Sequence, residues 1–411
     1  MTHQSFETTE LIYDWNEQQP LKRPARLELN DETLRDGLQS PSITDPAIEV
    51  KIDALRYMAK LGICNVNIGM PCTSPAVKDA TLKLAKILAS EKLPIYPNCA
   101  ARTVVSDVVP IVEISQAAGI PIEASTFIGS SPIRELAEGW DMDRMLESTE
   151  SAVTFAVKNE LPVMFVTEDT TRARPDMLKK LYETAIDCGA TRLTIADTVG
   201  HITPHGVRNL IKFFKDEIVR GNKNLKLDWH GHNDRGFALA NSFAAFEAGA
   251  DCVHGSMLGI GERVGNTAID QLLVNLKLMG WLDNDLTSLM DYAKLVHRHC
   301  GGPLPFNYPV LGRDAFRTST GVHASAIIKA KRKGDNYLAN RIYSGVPAEM
   351  FGREQEIEIG PMCGQSNVEY WLNSRGIEAK SDLVEKILAH AKKSSKVLDE
   401  NEVRALIKKH S

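Results

Sequence analysis

The chain has 411 residues, enough for one barrel-sized domain and a smaller companion. Its net charge of −5, with histidine counted neutral, and its lack of any long like-charge block exclude a basic nucleic-acid surface. No continuous apolar run is long enough for a membrane span, and the seven cysteines stand singly without a C-x-x-C pair, the usage of a reducing cytoplasm.

Residues 1–24, "MTHQSFETTELIYDWNEQQPLKRP", are polar, lack an apolar signal core and read as an extension. From residue 25, short β-rich runs alternate with longer helical patterns. The strands are "RLELN" near Leu27, "NVNIG" near Val66, "PIYPN" near Ile95 and "PIEAST" near Ile122. They continue with "PVMFVT" near Val163, "RLTIAD" near Leu193, "LKLDWH" near Leu227 and "CVHGS" near Val253. Among the helical stretches between them, "EVKIDALRYMAKLG" and "DMLKKLYETAIDCG" end at Gly62 and Gly189, which suit helix C-caps. Alternating βα units imply a parallel sheet, and eight of them fit a closed (β/α)₈ TIM barrel. An open doubly wound sheet is the structural alternative, but no G-x-G-x-x-G follows the first strand. After Trp281 the pattern changes: "HRHCGGPLPFNYPVLG" reads as a linker, and helical segments such as "SDLVEKILAHAKK" and "ENEVRALIKKH" follow. The α/β barrel thus spans 25–285, and 286–411 is a linker with a smaller, mostly helical accessory region.

In such a barrel the active site gathers at the C-terminal ends of the strands. The first strand ends in "NDETLRDGLQ", which brings Asp31, Arg35, Asp36 and Gln39 there. The fifth ends in "TEDTTR", with Glu168, Asp169 and Arg172, and the sixth in "ADTVGH", with Asp197 and Thr198. Gln39 and Arg172 are candidate substrate contacts. The seventh ends in "HGHND", and the loop after the eighth is "GIGERVGN", with Asn266. Residues i and i+2 of a strand face the same way, so His230 and His232 point together into the barrel mouth. With Asp36 and Asn266 they form a mixed nitrogen and oxygen set that suits Zn²⁺, Mn²⁺, Fe²⁺ or Co²⁺. An H-x-H alone is as well explained by hydrogen-bonded loop polarity, and "RDG" alone by a turn; their coincidence at one barrel mouth favours the metal. His201 and His205 are as well explained by loop or helix-start roles. His254 reads as a satisfied barrel residue, and the cysteines as packing.

Together, "DETLRDGLQ", "HGHND" and "GIGERVGN" resemble the signature of the DRE-TIM metallolyase superfamily. "FRTSTGVHASAIIKA" extends the resemblance to its Claisen-condensing branch, the 2-isopropylmalate, homocitrate and citramalate synthases. The resemblance implies a homodimer that condenses acetyl-CoA with a 2-oxo acid at a divalent ion (Mn²⁺, Mg²⁺ or Zn²⁺), in the cytoplasm that the cysteine usage already suggests. It implies Asp36, His230, His232 and Asn266 as ligands, Arg35 beside the ketone oxygen and Thr198 at the substrate carboxylate. It also implies Glu168 and His323 as catalytic groups, His323 being the base with Tyr343 near it. In such enzymes the accessory region carrying His323 reaches across a dimer partner's barrel. Three departures stand out: Asn67 where a Glu is usual, Ser125 where a His is usual, and "GPMCG", with Met362 and Cys363, where "GKHSG" is usual. The length leaves no room for the regulatory domain of full-length 2-isopropylmalate synthases, so leucine feedback through it is not expected. A lyase cleaving 3-hydroxy-3-methylglutaryl-CoA is the alternative, but such lyases carry a Cys in the loop that here reads "GIGERVGN". A non-catalytic metabolite-binding barrel is a third reading, against which the intact ligand and base residues stand.

Overall fold

The structure is a computed structural model and describes residues 11–410 except 19, 20 and 22. Of the extension expected over 1–24, residues 1–10, 19, 20 and 22 lie outside the described part, and Trp15–Glu17 forms a single 3₁₀ turn capped by the Asp14 carboxylate.

All eight expected strands form, as β1 (Glu28–Asp31), β2 (Asn65–Asn67), β3 (Tyr96–Arg102), β4 (Glu123–Gly129), β5 (Val163–Glu168), β6 (Arg192–Asp197), β7 (Lys226–Gly231) and β8 (Cys252–Gly255). They close in sequence order into one parallel barrel, with β1 pairing β8 from Glu28 opposite Cys252 to Asp31 opposite Gly255. One set of alternate residues faces the helices. Leu29, Val66, Phe165, Leu193, Ile195, Trp229 and Val253 belong to it, and all are buried. The helices meet them with apolar stripes; Ile48–Leu61 buries Ala54, Leu55, Met58 and Leu61. That helix ends at Gly62, whose φ of 74° is the left-handed conformation of a C-cap. Gly189 likewise follows Pro175–Asp187 with φ 106°.

The other set faces the barrel axis, where layers of branched aliphatics are usual. Here the inner wall is polar. At the base, Arg192 is buried among three carboxylates, with nitrogens 3.0 Å from Asp228, 3.2 Å from Glu28 and 3.2 Å from Glu123. Above it, Asn98 donates to Asn30 at 2.7 Å, and His254 spans Asp228 and Glu32. The interior is therefore a connected set of ion pairs rising from the base towards the strand ends.

The chain divides into two compact units, the first ending at Leu272 and the second running Leu273–Ser411. The division falls inside the helix Ile269–Leu278, earlier than the boundary near 285 drawn from the sequence. The second unit holds two apolar clusters. One gathers Ala324, Ile327, Ile328 and Ile357; the other includes Val368, Trp371, Leu372, Val384 and Ile387. A short parallel pair joins β9 (Arg317–Thr318) to β10 (Glu356–Ile357). One expectation is corrected here. "HRHC" is not linker but the last turn of the helix Leu289–Cys300, which Gly301 ends in the left-handed conformation, so irregular chain starts only at Gly301.

Candidate active site

The turn after β1 is tight. Asp31 accepts from the Thr33 N–H at 2.7 Å, and the Glu32 carbonyl accepts from the Arg35 and Gly37 N–H groups. This delivers Arg35 and Asp36 to the axis. β7 supplies His230 and His232, as the two-residue period predicts. The loop after β8 folds back on β7: the Asn233 N–H donates to Gly265 O, and the Thr267 N–H to Gly231 O. His232 and Asn266 form a β-bridge as a result. Glycines make the close approach feasible. A side chain at Gly265 would drive into the Gly259 carbonyl, and one at Gly261 into the Asn266 amide beside Asp36 Oδ1. Arg263 ties the loops together, with Nε 2.8 Å from Asp234 and Nη2 donating to Thr198 O at 2.6 Å.

The donors converge. His230 Nε2 and His232 Nε2 are 3.3 Å apart, and they lie 3.4 and 3.6 Å from Asp36 Oδ2. These three residues satisfy the mutual spacing of a metal-ligand set, every donor atom lying within 4.8 Å of the others. Asp36 Oδ1 and Asn266 Oδ1 are buried and have no hydrogen-bond partner among the described residues, while the Asn266 amide nitrogen donates to Ile260 O at 3.1 Å. Buried acceptors are normally satisfied, so two orphaned oxygens beside two facing imidazoles fit a cation. Protonation agrees. Burial would raise the Asp36 carboxyl, but Arg35 and then the two histidines outweigh it and hold the group well below the usual carboxylate range. Burial, then His230, pulls His232 down to about 4. Both are thus in the deprotonated forms that ligation requires.

Glu32 was not singled out in the sequence and organises the site. It is buried, and its Oε2 accepts from Arg35 Nε at 3.1 Å and Nη2 at 2.6 Å. Its Oε1 accepts from Asn30 at 2.6 Å and lies 3.3 Å from His254 Nδ1. Burial opposes the imidazolium form of His254, but Asp228 and Glu32 outweigh it and raise the group to about 9. His254 is thus a satisfied barrel residue as read, and a charged one. Spacing could have pointed to Glu32: Glu28, Asn30 and Glu32 recur at the two-residue period that faces the axis.

Arg35, Asp36, Gln39, Glu168, Thr198, His230 and His232 line one cavity of about 250 Å³. Arg35 Nη1 also reaches Gln39 Oε1 at 3.3 Å. Thr198 Oγ1 accepts from the Asp169 N–H at 2.8 Å, which leaves its own proton to donate. Burial raises the Glu168 carboxyl above its ordinary value, with Arg134 at 3.7 Å only partly offsetting it. Arg172 is not brought to the cavity; Asp169 holds its guanidinium through Nε and Nη2, and the side chain is exposed. His201 and His205 also stay outside the lining. The His201 N–H donates to Asp197, and His205 sits in the first turn of Pro204–Phe213. Of the departures, Ser125 lines the cavity, and Asn67 is buried with its Oδ1 accepting from the Gly69 N–H at 3.2 Å. His323 and Tyr343 belong to the second unit, both exposed and stacked on each other with ring centroids 4.1 Å apart. The Met362 carbonyl accepts there from the Gly321 N–H, at the start of the helix that carries His323.

The fold and site are those of a closed parallel barrel with two imidazoles, a carboxylate and an amide converging at its strand ends, a donor set of the kind that suits a divalent ion. The model for HMGL-like proteins matches residues 26–296, and the chain belongs to that family. It is 29% identical over 385 residues to the homocitrate synthase AksA of Methanothermobacter thermautotrophicus, covering 93% of each chain. It is 31% identical over 393 residues to a probable 2-isopropylmalate synthase of Ignicoccus hospitalis, covering 94% of this chain and 92% of the relative. A crystal structure of a Bacillus subtilis HMG-CoA lyase shares the fold, with a TM-score of 0.58 and 21% identity over 69% of this chain and 96% of that one. The superfamily read from the motifs is the one the family match returns. Among the described residues, no helix is long and apolar enough to cross a membrane.

Proposed function

We propose that the protein condenses an acyl-CoA, acetyl-CoA in the first instance, with a 2-oxo acid, giving a 2-hydroxy di- or tricarboxylic acid and free CoA. One observation carries the reading: the convergence of Asp36, His230 and His232, with two orphaned oxygens beside them, in a chain related to such synthases over nine-tenths of its length.

Asp36, His230, His232 and Asn266 would hold the ion, and Mn²⁺, Mg²⁺ and Zn²⁺ are the candidates. A divalent ion there supplies Lewis-acid polarisation of the ketone. The remaining work belongs to the chain. Arg35 is pinned by Glu32, so its charge is fixed where alkoxide charge develops. Thr198 is disposed to donate its hydroxyl proton to the substrate carboxylate, with Gln39 beside Arg35 at the rim. A base takes a proton from the thioester methyl. The carbanion adds to the ketone carbon, and water then cleaves the thioester. His323 is the base of this reading, with Tyr343 stacked on it. Glu168 assists, its burial favouring the protonated form that can return a proton. A homodimer and a cytoplasmic setting complete the proposal, the first from the motif resemblance and the second from the scattered cysteines.

The test is thiol release from acetyl-CoA with a divalent ion and a 2-oxo acid. Release that needs both supports the proposal. Cleavage of 3-hydroxy-3-methylglutaryl-CoA without condensation would overturn it in favour of a lyase. His323→Ala should cut turnover by at least about 100-fold while ion and 2-oxo acid still bind; wild-type turnover in that variant would remove His323 from the mechanism.

A further inference from the structure

The site has two unlike sides. The ligand set comes from β1, β7 and the loop after β8, which are neighbours in the closed barrel. The wall across from it comes from β3 to β6 and presents Ala100, Ser125, Phe127, Val166 and Thr194 to the same cavity. Ala100, Ser125 and Thr194 are buried at 4%, 7% and 1% exposure. None of the five carries a charge. The cations that line the cavity are already engaged: Arg35 by Glu32 and Asp36, and His254 by Glu32 and Asp228, one on each ring nitrogen. The carboxylate nearest this wall is Glu168, at the end of β5.

From this we infer that the enzyme takes 2-oxo acids whose side chain is uncharged, and rejects those with a second carboxylate. The inference rests on the 2-oxo acid reading above, which puts the ketone at the ligand set and its carboxylate at Thr198, and it adds that the side chain extends to the β3–β6 wall of the same cavity. A distal carboxylate there would be buried without a free counter-ion among the residues that line the cavity, which is costly. Among these five residues, two hydroxyls supply the polarity. Thr194 Oγ1 has no hydrogen-bond partner among the described residues, and Ser125 Oγ meets only the sulfur of Met164, at 3.3 Å. Neither can neutralise an anion.

The experiment uses the full chain loaded with Mn²⁺. Thiol release from acetyl-CoA is measured with pyruvate, 2-oxobutanoate and 2-oxoisovalerate against oxaloacetate and 2-oxoglutarate. Calorimetric binding of the same acids is measured without acyl-CoA. The expected result is that the best uncharged acid exceeds both dicarboxylic acids by at least about 100-fold in kcat/KM and binds in the calorimeter where they do not. Ser125→Arg should narrow that gap by installing a cation on the wall. Condensation of 2-oxoglutarate or oxaloacetate at equal or better kcat/KM would overturn the inference and leave the condensing reaction standing. Binding of the uncharged acids alone, with no thiol release, would support the pocket and overturn the reaction. Absence of binding and turnover for every acid would overturn both.

Discussion

Glu32 holds two cations on one buried carboxylate, Arg35 through Oε2 and His254 through Oε1. Burial raises its pKa, but Arg35 and then His254 outweigh that and bring it to about 2, so it is ionised under ordinary conditions. Replacing it by Ala takes from each buried cation one of its two carboxylates, leaving Arg35 only Asp36 and His254 only Asp228, and a loss of about 3–5 kcal/mol is expected in urea denaturation. Because Arg35 would also lose its anchor, turnover should fall in any Glu32→Ala protein that still folds. A change within measurement error in both readouts would remove Glu32 from the account. The convergence of Asp36, His230, His232 and Asn266 was legible in the sequence because each lies in a short motif at a strand end, where the barrel rule and the two-residue period say where side chains go. Glu32 lies in the same motif but was passed over, because its partner His254 becomes a neighbour only when β1 and β8 close the barrel. The position of Arg172 outside the cavity lining was hidden for a related reason: proximity to a strand end does not reveal that Asp169, three residues away, holds its guanidinium.

The strands were legible because parallel strands buried on both faces leave short β-rich runs between amphipathic helices. Their limits shifted by one to four residues where the hydrogen-bond ladder, not the hydrophobic run, decides the end; β3 starts after Ile95 and runs to Arg102, and β4 starts after Ile122 and runs to Gly129. The misread element was "HRHC". Its polar residues looked like linker beside Gly-Gly-Pro, yet Leu289, Tyr292, Ala293, Val296 and Cys300 form a buried helical stripe that carries through it. The C-cap glycines were placed correctly, and one offers a clean test. Gly62→Ala forces a side chain into the left-handed conformation, and a destabilisation of about 1 kcal/mol is expected, without loss of turnover per folded molecule. Unchanged stability would mean that the helix end relaxes freely.

Over the whole barrel the inner charges form a column from Glu28 and Arg192 at the base, through Asp228, His254 and Glu32, to Arg35 and Asp36 at the mouth. No sequence pattern announces such a column, because its members are scattered over the strands and meet only across the axis. It has a pH signature. His254 is held near 9, above its ordinary value of about 6.5, so its contribution to stability is complete below about 6.5 and is lost as pH rises through about 9. The melting temperature of the metal-free protein should fall over that window, and His254→Gln should lack that component of the slope. A profile identical in both proteins would mean that His254 is not held as the cation. The column ends at Asp36, beside His230 and His232. The most direct measurement is Mn²⁺ binding followed by electron paramagnetic resonance, with and without 2-oxoisovalerate. Wild-type protein should bind the ion at a single site whose spectrum changes when the acid is added, and His232→Ala should lose that site. An equally populated site in His232→Ala, or a spectrum unmoved by the acid while thiol is still released, would contradict the assignment of Asp36, His230, His232 and Asn266 as the centre of the chemistry.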